Sequence, residues 1–201
     1  MNRQLQKVVL ASTNAGKIKE IQAILKPVGI ELISMADFNI SPIEEPHGTF
    51  VENALAKARA VSAHTQLPAL ADDSGLCVDT LNFQPGIKSA RFAGENASDQ
   101  ENNQKLLTLL ADQENRRAFF YCTLVMLQSA DDPQPLIADG RWFGQIAQQT
   151  VGNNGFGYDP LFYPDGLDIT SAQLAPEQKN RISHRAIALQ KLILQIEALH
   201  G

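Results

Sequence analysis

Two pairs of adjacent carboxylates are the residues of this sequence most suited to chemistry. Asp72 and Asp73 lie between two apolar runs, and Glu44 and Glu45 lie in a polar segment just before a helical pattern. Neighbouring negative charges repel each other, and a divalent cation would relieve that repulsion. Mg²⁺ takes oxygen ligands, and it typically combines one or two carboxylates with waters and substrate phosphates. The two pairs therefore predict a magnesium site.

Each pair also has a purely structural interpretation. Short strands are predicted on either side of Asp72 and Asp73, so the pair could open an Asx turn with Gly75 at the positive-φ position. The glutamates could lie in a solvated loop, and for that pair alone this interpretation is favoured. For the aspartates a functional interpretation is favoured, because surface turns rarely follow so apolar a run.

A third feature is the segment STNAGK, residues 12–17, between a predicted strand and a predicted helix. This layout directs backbone amides and the positive end of the helix dipole at an anion, and Lys17 adds a charge. The segment is not a P-loop, because Ala11 replaces the first glycine of that motif and Ile18 replaces its hydroxyl residue. An ordinary strand-to-helix connection with a helix cap is the alternative.

The glycine-rich segment NNGFGYDP, residues 153–160, places an aromatic ring between two flexible positions. Gly155 and Gly157 flank Phe156, which leaves its ring free to meet a flat partner such as a nucleobase. A tight turn ended by Pro160 is the alternative. Two aromatic residues in so glycine-rich a loop favour the binding interpretation, since they would otherwise expose apolar surface.

Three hydrogen-bond donors cluster around the start of the last predicted helix: Lys179, His184 and Arg185. Cations near a helix N-terminus oppose the preference of the dipole for acidic residues. A ligand that carries negative charge or a carbonyl group would explain them.

The elements that position these residues predict an α/β fold. Strands alternate with helices at first, and paired strands follow at the centre, including a strand pair in PLIADGRWFGQIA, so the sheet should be of mixed direction. Capping residues predict helices that start after Thr49, Ser98 and Ser183. No linker is visible, so residues 1–201 should form a single domain or two lobes sharing a core.

Composition excludes several classes of protein. A formal net charge of -5 argues against broad nucleic-acid binding, which needs a basic face. No segment reaches the ~18 apolar residues of a membrane span, and the N-terminus lacks a signal-peptide core, which indicates a cytoplasmic protein. Cys77 and Cys122 lie in apolar, strand-like runs and are expected to be small buried side chains rather than a disulfide or a metal site.

Several motifs in series resemble the inosine/xanthosine triphosphate pyrophosphatase family. They are STNAGK, EE before TFVENALAKA, ADDSGL, PGIKSARF, GFGYDP and SHR, and they extend from about residue 7 to residue 199. The resemblance implies a Mg²⁺-dependent hydrolase that converts ITP, dITP and XTP to the monophosphate and pyrophosphate, and so cleans the nucleotide pool. It also implies two α/β lobes around a long, curved, mixed β-sheet flanked by helices, an active site in the cleft between the lobes, and a homodimer.

The resemblance also implies roles for particular residues. Glu45 and Asp73 would hold the metal, and Asp73, Lys57 and Lys17 would be catalytic, with Asp73 as proton acceptor. The substrate would contact a larger set: Ser12, Thr13, Asn14, Ala15, Gly16, Lys17, Ser74, Phe156, Gly157, Tyr158, Asp159, Lys179, His184 and Arg185.

Selection of the base would depend on whether the group at position 6 of the purine accepts or donates a hydrogen bond. His184, Arg185 and loop amides would donate hydrogen bonds to the 6-oxo group of hypoxanthine or xanthine, and they would face the 6-amino group of adenine donor against donor. Guanine shares the 6-oxo group, so its rejection needs a further contact near its 2-amino group. Two other functions remain open at this point: a pyrophosphatase for modified pyrimidine nucleotides, and a regulatory module that binds a nucleotide without cleaving it.

Overall fold

Six strands form one mixed sheet in the computed structural model, which describes the backbone of residues 6–200 and the side chains of residues 7–199. The strands are β1 Gln6–Leu10, β2 Ile30–Ser34, β3 Ala69–Val78, β4 Arg117–Leu127, β5 Leu136–Ile146 and β6 Phe162–Pro164. Their order across the sheet is β2-β1-β3-β4-β5-β6. Strand β1 is parallel to β2 and β3, whereas β5 and β6 are antiparallel. The predicted α/β class with a mixed sheet is confirmed.

Five α-helices connect and cover the strands in the described part of the chain. They are α1 Ala15–Leu25, α2 Phe50–Thr65, α3 Asp99–Leu109, α4 Pro176–Ile182 and α5 His184–His200. The predicted caps are confirmed at α2, where the Thr49 hydroxyl accepts from the Glu52 amide, and at α3, where Ser98 and Glu101 form a capping box. Ser183 directly precedes α5, as predicted.

Two predicted breaks in the sheet are wrong. Strand β3 runs without interruption through the aspartates, where two short strands around a turn were expected, and β5 is one strand where a pair was expected. Nearly all of β3 is buried, so its peptide groups must find partners within the sheet rather than in water. In β5, Gly144 leaves space for the backbone of Tyr163 on the neighbouring strand, which allows the pairing to continue.

The chain divides into two compact units. The first unit comprises residues 6–73, 122–140 and 185–200, and the second comprises residues 74–121 and 141–184. In the first unit the side chains of β1 alternate between two apolar clusters, as a pleated strand requires. Val8 packs with residues of α1 and α5, and Val9 packs with residues of α2. Helices therefore cover both faces of these strands.

The second unit has one apolar cluster, in which α3 packs on one face of its strands. Leu106 of α3 lies there with Phe120 of β4 and Trp142 of β5. Along β5 every second residue is buried, so the strand shows one face to the core and the other to solvent.

Both cysteines are free and buried, as predicted, and burial raises the pKa of each thiol to about 12. Among the described residues, no helix combines the length and the apolar character that crossing a membrane would require.

Candidate active site

The continuous strand β3 separates the carboxylates of the two neighbouring aspartates. Successive side chains of a strand point to opposite faces, so Asp72 and Asp73 contact different partners although they are adjacent in sequence. The Asx-turn interpretation is wrong, since Gly75 lies within the strand and does not have a positive φ. Both aspartates are buried in the first unit.

Asp72 is surrounded by positive charge. Its Oδ2 atom lies 3.0 Å from the Nζ of Lys17 and 3.4 Å from a guanidinium nitrogen of Arg185. Burial alone would raise the pKa of Asp72, but the charges of Lys17, Arg185 and Lys57 outweigh it and hold the pKa well below its ordinary value. Asp72 therefore stays ionised, and its carboxylate holds the side chains of Lys17 and Arg185 in place.

Asp73 has the opposite electrostatic character. Its Oδ2 atom accepts a hydrogen bond from the Nδ2 of Asn53 at 3.2 Å. Burial raises the pKa of Asp73 to about 6, with the charge of Lys57 opposing the rise and that of Glu45 adding to it. A carboxyl group with such a pKa can exchange a proton near neutral pH. Paired acids whose environments drive their pKa values apart are typical of sites that use one of them as acid or base.

Lys57 connects Glu45, in the segment before α2, to strand β3 in the first unit. Its Nζ lies 2.5 Å from an oxygen of Glu45 and donates to the backbone carbonyl of Asp72 at 2.6 Å. Burial alone would lower the pKa of Lys57, but Asp72, Asp73 and Glu45 raise it above its ordinary value. The side chain therefore keeps its charge although it is almost inaccessible to water.

The segment 12–17 forms the turn from β1 into α1. Asn14 is the N-cap, and its side-chain oxygen accepts from the backbone amide of Lys17 at 3.0 Å. Asn14 and Ala15 are exposed, so the positive end of an eleven-residue helix faces solvent here. First-turn amides have no carbonyl partner within their own helix, which makes this end a suitable place for an anion.

In the second unit, Asp159 organises the glycine-rich loop. One carboxylate oxygen lies 2.5 Å from the Nζ of Lys179 and accepts from the backbone amide of Phe156 at 2.9 Å. The other oxygen accepts from the hydroxyl of Ser171 at 2.7 Å. Asp159 and Lys179 are both buried, so this ion pair fixes the loop to α4.

The glycines on either side of Phe156 are required by the backbone. Gly155 has a φ of 77° and Gly157 a φ of 61°, both in the left-handed region. At Gly155 a Cβ atom would also collide with the carboxylate of Asp159. The Nζ of Lys179 lies 4.9 Å from the centroid of the Phe156 ring, which is within the range of a cation–π contact.

The donors around the start of α5 have partners inside the protein. In the second unit the His184 ring stacks on Phe120 with centroids 4.8 Å apart, and it lies nearly parallel to Trp142. In the first unit the Arg185 guanidinium pairs with Glu20 and Asp72. A ligand is therefore not needed to explain the positive charge of Arg185. Direct contact of His184 or Arg185 with a nucleobase stays a prediction.

The structure also adds residues that the sequence reasoning missed. Asn53 connects Asp73 to the loop before α2 through hydrogen bonds with the backbone of His47, and Glu20 pairs with Arg185. The sequence signal that could have identified these two residues is their helical spacing from predicted site residues. Asn53 lies four residues before Lys57, and Glu20 lies three residues after Lys17, so each shares a helix face with a predicted site residue.

Comparison with known proteins gives the family. The model of the Ham1 family matches residues 8–195, and the chain therefore belongs to that family. Curated relatives named dITP/XTP pyrophosphatase include the following two. The one from Nitrosomonas europaea is 51% identical over 94% of this chain and 93% of its own length. The one from Bordetella pertussis is 52% identical over 98% and 94%.

Solved structures agree with this assignment. A HAM1 protein from Coxiella burnetii superposes with a TM-score of 0.89 at 46% identity, over 96% of this chain and 99% of that one. The Ham1 protein of Staphylococcus aureus gives a TM-score of 0.85 at 42% identity, with the same coverage.

Proposed function

We propose that this chain hydrolyses the deaminated purine nucleoside triphosphates ITP, dITP and XTP to the nucleoside monophosphate and pyrophosphate. The observation that carries the proposal is the pair of adjacent buried aspartates with opposite pKa shifts beside Lys17 and Lys57. Such a site suits attack on a phosphoanhydride, because that reaction needs positioning and charge stabilisation more than covalent help. The names of the curated relatives support the same substrate class.

The triphosphate is assigned to the first unit. Its anionic oxygens would be held by segment 12–17, at the exposed N-terminus of α1, and by Lys17 and Lys57. The anchored position of Lys57 supports a role in the reaction, because a fixed cation stabilises charge as it develops without first having to reorganise.

Glu45 and Asp73 fit a magnesium ion by their chemistry. Both offer carboxylate oxygens, and they interact electrostatically, since the charge of Glu45 adds to the burial that raises the pKa of Asp73. Within residues 6–200 no three acidic, histidine or cysteine side chains are grouped as a metal site. Waters and phosphate oxygens would therefore complete the six ligands that Mg²⁺ prefers. When bound, the ion would neutralise phosphate charge and polarise the phosphoryl group under attack.

Asp73 is assigned to the attacking water. In its ionised form it would orient the water or accept its proton while the water oxygen attacks the α-phosphorus and pyrophosphate leaves. A pKa of about 6 keeps Asp73 largely ionised at neutral pH and still basic enough to accept a proton. Asp72 supports it indirectly, by holding Lys17 and by accepting from Lys57 through its backbone carbonyl.

The nucleoside is assigned to the second unit. The Phe156 ring would stack on the purine, and the buried pair of Asp159 and Lys179 would supply polar groups at its edge, together with Ser74. The 6-oxo group would accept hydrogen bonds from donors of the protein, among which His184 and Arg185 stay predictions. Adenine would place its 6-amino group against those donors, and leaving buried polar groups unpaired is costly enough to support strong discrimination.

Product analysis tests the proposal directly. Purified protein with Mg²⁺ is given ITP, XTP, GTP, ATP and a modified pyrimidine triphosphate in parallel, and the products are separated by ion-exchange chromatography. We expect monophosphate and pyrophosphate, formed much faster from ITP and XTP than from ATP or GTP, with activity lost when the metal is chelated.

Three results would contradict the proposal in different ways. Release of inorganic phosphate and IDP would show attack at the γ-phosphorus. Preference for the pyrimidine substrate would show the wrong base class. Stoichiometric ITP binding by calorimetry without turnover over hours would indicate a regulatory binding module.

We infer further that the protein forms a homodimer, through an exposed aromatic cluster of Phe119 on β4, Phe143 on β5 and Phe83 in the segment after β3. Phe83 and Phe143 are 58% and 49% exposed, and each ring contacts Phe119, at centroid distances of 6.0 and 5.5 Å. Clustered exposed aromatic residues are typical of protein interfaces. The two free buried cysteines also support a cytoplasmic location, where thiols stay reduced.

A further inference from the structure

A single helix holds both backbone polar groups of Gly157 in the second unit. The Oδ2 atom of Asp99 accepts from the Gly157 amide at 2.6 Å, and the Nδ2 of Asn103 donates to the Gly157 carbonyl at 2.9 Å. Across the part of the chain that the structure describes, these are the only hydrogen bonds made by the backbone of Gly157. The conformation of this residue therefore depends on α3.

The geometry of α3 explains how one helix can reach both groups. Asp99 and Asn103 are four residues apart, so they lie one above the other on the same helix face. The capping box of Ser98 and Glu101 fixes the first turn of the helix, and Leu106 anchors the following turn in the core. The two contacts come from a rigid support rather than from a mobile loop.

Gly157 occupies the critical place in the glycine-rich loop. It lies between Phe156, whose ring meets Lys179, and Tyr158, whose hydroxyl donates to the carbonyl of Ser89 at 2.9 Å. A Cβ atom at Gly157 would meet nothing within 4 Å, so its left-handed φ rather than lack of space calls for glycine. Rotation about the Gly157 backbone would move Phe156 relative to the well-anchored residues that follow.

We propose that Asp99 and Asn103 are positioning residues for base recognition, which hold the Phe156 ring in the orientation that receives the purine. The proposal rests on the function proposed above and adds to it two residues that are not among those assigned there to the phosphates or the metal. They act through the Gly157 backbone, so their loss should weaken binding of the base and spare binding of the phosphates.

Asn103→Leu is the sharpest variant. Leucine has a similar size but cannot donate to the Gly157 carbonyl. The Oδ1 of Asn103 is buried and has no hydrogen-bond partner among the described residues, so its removal also eliminates an unsatisfied acceptor. Removing that acceptor offsets part of the cost of leaving the Gly157 carbonyl without its donor, so we expect only a small fall in Tm. Asp99→Ala removes the second contact, at the more exposed end of the helix.

Glu101→Ala provides the matched control. Glu101 lies on α3 between the two positioning residues, and its carboxylate completes the capping box without contacting Gly157. This variant should lower Tm through a weaker helix start, but it keeps both side chains that contact Gly157, so it separates a general loss of helix stability from loss of the two contacts.

The experiment compares two product-like inhibitors of ITP hydrolysis. IMP carries the base, whereas imidodiphosphate carries only the phosphate part. We expect the inhibition constant of IMP and the KM for ITP to rise about 3- to 10-fold in Asn103→Leu and Asp99→Ala, as for the loss of one positioning hydrogen bond. The constant for imidodiphosphate and kcat at saturating ITP should stay within about twofold, and Glu101→Ala should change neither inhibition constant.

Hydrogen exchange adds a readout that is independent of catalysis. The Gly157 amide should exchange slowly in the wild-type protein and in Glu101→Ala, and fast in Asp99→Ala, because its only acceptor is lost.

The outcomes separate this proposal from the proposed function. Unchanged IMP inhibition in both variants, or equal weakening of IMP and imidodiphosphate, would overturn the positioning role. A wild-type protein that binds IMP but releases no pyrophosphate from ITP would instead overturn the proposed function, and the comparison of the two inhibitors could still be made.

Discussion

Asp72 and Asp73 show how one strand gives two neighbouring residues of the same type different properties. Asp72 meets the ammonium of Lys17 and the guanidinium of Arg185, and its pKa falls. Asp73 meets the neutral amide of Asn53, and burial raises its pKa to about 6. Ionised Asp72 stabilises the fold through its ion pairs with Lys17 and Arg185. Ionised Asp73 destabilises the fold, and binding of a cation or a proton would remove that cost.

Replacing Asp73 by asparagine should abolish turnover and stabilise the fold above pH 6. The pKa of Asp73 is about 6 in the folded protein and about 3.9 for an unfolded aspartate, so ionisation destabilises the wild type as pH rises from about 4 to 6. Asparagine avoids this cost, which could reach about 3 kcal/mol. Urea denaturation at pH 4 and pH 8 with a chelator measures the difference in unfolding free energy between Asp73→Asn and the wild type. The variant should be more stable than the wild type only at pH 8.

Asp72→Asn serves as the matched control on the same strand. Because the pKa of Asp72 is lowered, its ionised form stabilises the fold at any pH above its unfolded value. Removing that charge leaves Lys17 and Arg185 without their shared partner and should cost about 3 kcal/mol at pH 8. If both variants lost stability equally at pH 8, the assignment of opposite roles to the two aspartates would be wrong.

At the scale of elements, helix faces and helix starts determine which side chains meet. Helix α2 presents Asn53 and Lys57 on one face, and so it reaches both Asp73 and Glu45 in the first unit. In the second unit, α4 contributes Lys179 to the carboxylate that organises the glycine-rich loop. Residues 153–160 form no helix of their own beyond a short turn, so their order comes from these external contacts.

Gly155→Ala should disrupt the loop of residues 153–160 in two ways, through backbone strain at residue 155 and through a steric collision of the new Cβ. Gly155 has a left-handed φ, and an added Cβ would also collide with the Asp159 carboxylate that binds Lys179. We expect the KM for ITP to rise at least tenfold, with a loss of about 2 kcal/mol or more in unfolding free energy.

Gly166→Ala is the control for this prediction. It carries the same kind of strain, with a φ of 80°, but its Cβ would meet nothing within 4 Å. Steady-state kinetics and urea denaturation of the two variants separate the collision from the strain. Equal KM values for the two alanine variants would mean that Asp159 does not depend on the space left by Gly155.

At the scale of the whole molecule, two surfaces of the second unit have different roles. One face of its strands packs on α3, and the other carries Phe119 and Phe143, which form an exposed cluster with Phe83. An aromatic patch of this kind is costly in a monomer, and a second copy of the chain would bury it.

Phe143→Glu should therefore convert the proposed homodimer to a monomer. A charge in this patch would lose its water on dimerisation without gaining a partner. Light scattering after size exclusion should give twice 22.0 kDa for the wild type and 22.0 kDa for the variant. Leu194→Glu, on α5 in the first unit, changes an even more exposed apolar residue and should leave the mass unchanged. A dimeric Phe143→Glu would exclude this face as the interface.

The sequence by itself determined most of the local helices and strands, and it identified the residues whose side chains are suited to catalysis or binding. Hydrophobic periodicity and capping residues predicted the helices that start after Thr49 and Ser98. The adjacent acidic residues Asp72 and Asp73 indicated the candidate active site of the first unit. These signals succeed because they depend on neighbours along the chain, namely hydrogen bonds within one turn and the alternation of apolar residues.

Only the tertiary structure decided that residues 69–78 form one strand, and that the carboxylates of Asp72 and Asp73 therefore have different partners. It also brought Arg185 to Glu20 and Asp72, over 100 residues away, and attached the loop around Gly157 to α3. Such contacts depend on burial and on distances between remote segments. The pKa of a carboxyl group follows from those two quantities, and the order of residues alone does not contain them.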